Sequence, residues 1–193
     1  MKKNIAITGC TGCGKSTVSS IVRVFGYDVF DVDKLSKTLL YQSDKVLNKL
    51  KKIVPKNCIE NKVNLKKIGN YFEKNPYDEE KFNIWYQKYI GYEIRKIIKE
   101  SKQEIVFWDI PLLDKMNIEE LFDVIWVVEA KEESCFNRIK LRNQYEDLKI
   151  LNLILRSKSC YENIQEKVIY IDNNGDICDL RRLIKKKLFE IQA

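Results

Sequence analysis

The eight residues Gly9-Cys10-Thr11-Gly12-Cys13-Gly14-Lys15-Ser16 carry the clearest chemistry in the chain and fit the pattern G-x-x-x-x-G-K-[ST]. Glycines let backbone N–H groups curl around a phosphate with no Cβ in the way. A helix that begins where the loop ends adds partial positive charge. In that setting Lys15 reaches the β- and γ-phosphates of a nucleotide, and the Ser16 hydroxyl ligates Mg²⁺. The expected nucleotide contacts are therefore Gly9, Thr11, Gly12, Cys13, Gly14, Lys15, Ser16 and Thr17, with Lys15 also catalytic.

Acids and arginines supply the other candidates. Asp31-Val32-Asp33 closes an apolar run. Ligands of parallel sheets bind at the carboxyl ends of strands, so these acids are placed to orient a phosphoryl acceptor. At i and i+2 the two side chains are expected to diverge if the strand continues, with one role for each carboxylate. Asp109 ends another apolar run and is expected beside the substrate, holding a water of the Mg²⁺ shell or setting the charge of the site. Arg138 and Arg142 lie four apart, just before the polar segment 143–147. A lid there would bring their guanidinium groups over the transferring phosphoryl. Arg156 is a further lid candidate.

Other chemistries are excluded by what the chain lacks. It has no His, which removes a Ser-His-Asp triad, a His-ligated metal and a His base together. Cys10-x-x-Cys13 has no second pair to complete a zinc site. The apolar run before Gly9 is too short for a signal peptide, and no stretch approaches the ~18 apolar residues of a membrane span. A soluble cytoplasmic protein with reduced thiols is expected. Cys10 and Cys13 still flank a helix N-terminus beside Lys15, a setting that lowers thiol pKa values and makes both candidates for oxidation or alkylation.

These residues need a scaffold, and the apolar runs supply one. Residues 4–8, 27–31, 104–109, 123–128 and 168–172 read as strands, with helices over 16–25, 79–100, 131–142 and the C-terminal segment. Continuous rather than alternating apolar strands belong to parallel sheets buried on both faces. Interleaved helices make this an α/β fold. A single domain over 1–193 is expected: a core of 1–33, 103–142 and 166–193, a helical substrate-binding insertion at about 34–102, and a lid at about 143–165. Trp85, Tyr86, Tyr89 and Tyr92 are expected mostly in the core, the alternative being a wall against which an adenine or an acyl chain stacks. Ile177, Leu180, Ile184, Leu188 and Ile191 fall on one face of the last helix.

Within the phosphate-loop classes, a GTPase is excluded because Asn61-Lys62-Val63-Asn64 lacks the Asp of N-K-x-D and Asp109-Ile110-Pro111-Leu112 has no Gly. A motor or helicase usually shows adjacent acids after an apolar strand, where this chain has Asp109 alone. A small kinase remains. Lys and Arg number 35 against 28 acids, a net +7 that suits an anionic partner. Two alternatives stand beside the main reading. One is a nucleoside or nucleotide kinase, separated by its acceptor. The other is a nucleotide-dependent nucleic-acid-binding module, separated by salt-dependent RNA or DNA binding.

The order of these features resembles the dephospho-CoA kinase family nearly end to end. The matching segments are Thr8–Thr17, Asp31-Val32-Asp33, Pro111-Leu112-Leu113, the helix bearing Arg138 and Arg142, and Ile171-Asp172-Asn173-Asn174-Gly175. The resemblance implies a P-loop kinase fold with a five-stranded parallel sheet, a helical CoA-binding region and a lid. It implies ATP-dependent phosphorylation of the ribose 3′-hydroxyl of dephospho-CoA, the last step of CoA synthesis, with ATP and Mg²⁺ as cofactors. It further implies that Asp33 orients and deprotonates that hydroxyl, that Arg138 and Arg142 hold ATP, and that Asp31, Asp109, Pro111 and Leu112 line the substrate side. The expected partner is a small molecule, with no nucleic acid and no membrane, and the expected state is a monomer. The chain departs from the family at Tyr89-Ile90, where His-Pro is common, and at Lys37, Asp114 and about Lys158.

Overall fold

A computed structural model describes residues 2–59, 63–111, 113–142, 145–158 and 167–192. The described chain forms two compact units, Met1–Val32 with Glu100–Ala193, and Asp33–Lys99.

The first unit is built on a five-stranded sheet. Its strands are β1 (Lys3–Gly9), β2 (Asp28–Asp31), β3 (Ile105–Asp109), β4 (Val124–Glu129) and β5 (Val168–Asp172), in the order β2-β3-β1-β4-β5. Every pairing is parallel. The apolar runs explain this arrangement: Ile5, Ala6 and Ile7 of β1, Phe107 and Trp108 of β3, and Ile125 to Val128 of β4 are all at most 1% exposed. Only strands covered on both faces bury every successive residue. Each such aliphatic or aromatic side chain contributes about 1.5–3 kcal/mol by leaving water.

Helix α1 (Lys15–Val24) follows β1 and buries Val18, Ile21 and Val22. Helix α6 (Glu132–Arg142) follows β4, then α7 (Asp147–Lys158), and α8 (Ile177–Gln192) follows β5. Leu180, Ile184, Leu188 and Ile191 of α8 are buried as their spacing predicts. Ile177 departs from that face and is 53% exposed, because it stands at the first position of the helix. Ile150 and Ile154 place α7 in the buried cluster that also holds Val18, Ile139 and Leu180. Much of the segment expected as a lid is therefore a packed helix.

β1 sits in the middle of the sheet, with β3 on one side and β4 on the other. The chain runs to one side of β1 and then returns to the other. In open parallel sheets ligands bind at that switch, beyond the carboxyl ends of the strands. The loop after β1 is the phosphate-loop sequence.

The second unit is helical. It holds α2 (continuing from Val32 to Gln42), α3 (Asp44–Leu50), α4 (Leu65–Lys74) and α5 (Pro76–Glu100). Pro76 opens α5 at the one helical position where its missing N–H costs nothing. Gly91 is buried within α5, which runs unbroken. The aromatics of α5 divide: Tyr86 is buried, Trp85 and Tyr89 are half-buried, and Tyr92 is 54% exposed. Trp85 and Tyr89 stack with centroids 5.4 Å apart. The Lys49 ammonium lies over Trp85, and the Lys45 ammonium over Tyr89 and Tyr92, which gives the exposed side of the stack a cationic cover.

Candidate active site

The chain leaves β1 at Gly9 and enters α1 at Lys15 through the loop predicted to cradle phosphate. Gly14 is the N-cap of α1 at φ 100°, and no side chain among the described residues caps it. The Gly14 carbonyl accepts from the N–H groups of Thr17 at 3.0 Å and Val18 at 3.1 Å, and the start of α1 directs its partial positive charge toward the loop. A Cβ on Gly14 would lie 2.1 Å from Asn173 Nδ2, and one on Gly12 would lie 2.7 Å from the Cys135 carbonyl oxygen. Close packing and left-handed backbone both require glycine at these two positions.

The Lys15 ammonium folds back over the loop, donating to the Gly9 carbonyl at 2.9 Å and the Cys10 carbonyl at 3.3 Å. Ser16 is exposed and Thr17 half-buried. The Thr11 N–H donates to Ser157 Oγ of α7 at 2.8 Å. A hydroxyl from 146 residues away therefore satisfies one of the loop's donors.

Arg138 and Arg142 share a helical spacing but stand in different surroundings. Arg138 is half-buried and donates to the carbonyls of Gly12 and Cys13, each at 3.3 Å, and of Asn173 at 3.1 Å. Arg142 is exposed at the end of α6. Arg138 thus bridges the phosphate loop and the β5–α8 turn.

Asn173 lies within the motif Ile171-Asp172-Asn173-Asn174-Gly175 and braces the phosphate loop. It is 8% exposed. Its side-chain amide donates to the Cys13 carbonyl at 2.7 Å, and its backbone N–H donates to the Glu129 carbonyl at 2.8 Å. It fills the space left by the missing Cβ of Gly14 and presents the carbonyl that Arg138 grips. The motif Ile171-Asp172-Asn173-Asn174-Gly175 was the available signal. Ser157 and Ser19 had none, since a serine within a helix is unremarkable until its partner is known.

Asp31 and Asp109 stand at the same end of the sheet. Asp31 and Asp109 are in register at the ends of β2 and β3, and Asp109 is also in register with Ile7 of β1. In-register neighbours on parallel strands point to the same face. Asp109 accepts a hydrogen bond from the buried Ser19 hydroxyl of α1 at 2.7 Å. The divergence expected of Asp31 and Asp33 does not hold for a strand, where residues two apart share a face, and here the chain turns into α2 at Val32, so that Asp33 belongs to the helix. Asp33 is exposed in the first turn of α2. Pro111 is half-buried in the turn after β3, and Leu112 lies outside the described residues.

Among the described residues no three His, Cys, Asp or Glu side chains form a metal-binding group. The oxygens on hand are the exposed Ser16 hydroxyl and the carboxylates of Asp109 and Asp31. Such a hard and incomplete set fits Mg²⁺, which keeps waters and shares its shell with substrate phosphates. No helix among the described residues is long and apolar enough to cross a membrane.

The family model described as dephospho-CoA kinase matches residues 3–179. The chain belongs to this family. A relative from Carboxydothermus hydrogenoformans named dephospho-CoA kinase is 30% identical over 185 residues, covering 93% of this chain and 90% of its own. One from Staphylococcus aureus with the same name is 30% identical over 200 residues, covering 98% and 94%. The solved structure of dephospho-CoA kinase from Campylobacter jejuni superimposes with a TM-score of 0.71 at 21% identity, covering 99% of this chain and 98% of that one. The fold is that of a P-loop kinase, as the sequence predicts, and the family is the one the motifs resemble.

Proposed function

We propose that the chain transfers the γ-phosphoryl group of ATP to the ribose 3′-hydroxyl of dephospho-CoA, giving CoA and ADP, the last step of CoA synthesis. The observation that carries this reading is the family match over 3–179, which includes both the phosphate loop and Asp31-Val32-Asp33.

The loop N–H groups and the start of α1 bind the phosphates. Lys15 exchanges its contacts with the Gly9 and Cys10 carbonyls for the β- and γ-phosphates, where its charge stabilises what develops as the phosphoryl leaves. Asp33 accepts the proton of the 3′-hydroxyl and aims its oxygen at the γ-phosphorus. The new bond joins that oxygen to phosphorus, and the bond from phosphorus to the β–γ bridging oxygen breaks. Asp31, Pro111 and Leu112 line the acceptor side. Arg138 and Arg142 hold the nucleotide, Arg138 from its seat on the loop carbonyls. Ser16 would hold Mg²⁺, with Asp109 through a water. When bound, the ion neutralises charge on the β- and γ-phosphates.

The test is product identification. ³¹P NMR and mass spectrometry of a reaction with ATP·Mg²⁺ and dephospho-CoA should reveal a new 3′-phosphomonoester, CoA, in a one-to-one ratio with ADP. ADP without that monoester would overturn the reading.

A further inference from the structure

Three thiols meet beside the phosphate loop. Cys10 and Cys13 come from the loop and Cys135 from α6, and each is at most 1% exposed. Cys10 Sγ lies 3.6 Å from Cys135 Sγ. Cys135 Sγ also reaches the Ala130 carbonyl at 3.7 Å. Nothing in phosphate binding asks for sulfur here, because the loop works through backbone N–H groups and Lys15.

The thiols are not equivalent. Hydrogen bonds from Cys13 and Cys135 hold the Cys10 thiol well below the usual range, with Lys15 and Lys158 adding positive charge and burial opposing them. Their bonds to Cys10, together with burial, push Cys13 and Cys135 up. Cys10 is thus the nucleophile of the group, with a protonated thiol at hand. Because the three thiols are buried, the oxidant that suits them is a small one.

We propose that Cys10 and Cys135 form a reversible oxidation site, where a hydroperoxide converts the two thiols to a disulfide and blocks the phosphate loop. The Cys10 sulfur attacks one oxygen of hydrogen peroxide. An S–O bond forms, the O–O bond breaks, and the hydroxide that departs as the ionised Cys10 sulfur attacks takes up a proton from solvent as water. The Cys135 sulfur then attacks the sulfenic sulfur. The S–S bond forms, the S–O bond breaks, and hydroxide leaves with the Cys135 proton as a second water. Two thiols are oxidised, one peroxide is reduced, and an added dithiol reverses the exchange.

The block follows from packing. The sulfurs must close from 3.6 Å to about 2.05 Å. The loop has no slack toward α6, since Gly12 already rests on the Cys135 carbonyl and Arg138 already ties the Gly12 and Cys13 carbonyls to α6. The pull therefore moves the phosphate-binding N–H groups. A misplacement of ~1 Å can cost about 10²-fold in a site of this kind.

This inference rests on the loop being the nucleotide site, and not on the identity of the acceptor. The test treats the full chain with hydrogen peroxide, alkylates the remaining thiols, maps the linked peptides by mass spectrometry, and measures binding of a fluorescent ATP analogue without acceptor. A Cys10–Cys135 link is expected, with ATP affinity falling by about tenfold or more and returning on addition of dithiothreitol. Cys135→Ala and Cys135→Ser leave the loop sequence untouched, and either should bind ATP like the parent and resist the same dose. No link, a link between other cysteines, a Cys10–Cys135 link with unchanged affinity, or a parental loss in a folded Cys135 variant overturns the proposal. Peptide mapping of the parent decides the sulfur chemistry even if neither variant folds. A reduced parent that binds no ATP overturns the nucleotide site itself, and with it the block.

Discussion

The turn from β1 into α1 and the turn from β5 into α8 leave the same carboxyl end of one sheet, and each leads into a helix start whose first N–H groups lack partners within the helix. The β5–α8 turn satisfies them itself. Asp176 Oδ1 accepts from the N–H groups of Cys178 at 2.7 Å and Asp179 at 2.8 Å. Asp172 accepts the Asn174 N–H at 3.0 Å, and Asn174 accepts that of Lys131 at 2.7 Å. The β1–α1 turn has Gly14 where α8 has Asp176, and no side chain among the described residues caps it. Its supports come from outside, through Asn173, Arg138 and Ser157, and two of these three take its carbonyls rather than its N–H groups. One turn is closed by its own acids. The other is braced from outside, mainly at its carbonyls, and of its N–H groups these braces take that of Thr11.

Substitutions in the two turns should therefore fail in different ways. Lys15→Ala should give the largest effect, a fall in kcat of about 10²–10³, or 3–4 kcal/mol of lost transition-state stabilisation, with Tm unchanged. Turnover within threefold of the parent would remove Lys15 from the chemistry. Asp33→Asn keeps the shape and deletes the base, so kcat should fall by about 10²-fold while ATP affinity stays near the parent's. Retained kcat in Asp33→Asn together with its loss in Asp31→Asn would exchange their roles. Asn173→Ala removes one brace. The lost bond to the Cys13 carbonyl is worth about 0.5–1.5 kcal/mol, so the KM for ATP should rise by up to about tenfold with the acceptor KM unmoved. Equal changes in both KM values would mean a general loosening instead. Asp176→Ala should cost about 1 kcal/mol of stability, seen as a Tm lowered by about 2–4 °C, with kcat unaltered. A loss of activity there would erase the distinction between the turns.

The five strands, the phosphate loop and the strand-end acids were legible because their signals are local. Apolar runs mark buried strands wherever they occur, and the loop motif carries its own strand and helix. The bracing of the loop was not legible, because Asn173 and Ser157 lie 160 and 146 residues from their partners. Nothing in a single sequence pairs a serine of α7 with the N–H of Thr11. Arg138 and Arg142 share a helical spacing, yet only tertiary packing shows that one grips carbonyls while the other stands in solvent. The packing of α7 was missed for a related reason. The polar run at 143–147 reads as an excursion, and Ile150 and Ile154 reveal their core role only beside Ile139 and Leu180.

Steady-state turnover of the purified full chain with ATP·Mg²⁺, comparing dephospho-CoA with a panel of nucleosides, tests the proposed function most directly. The kcat/KM for dephospho-CoA should exceed that for every nucleoside by about tenfold or more. Phosphorylation of a nucleoside with equal or greater kcat/KM, or no ADP release above background with dephospho-CoA, would contradict it.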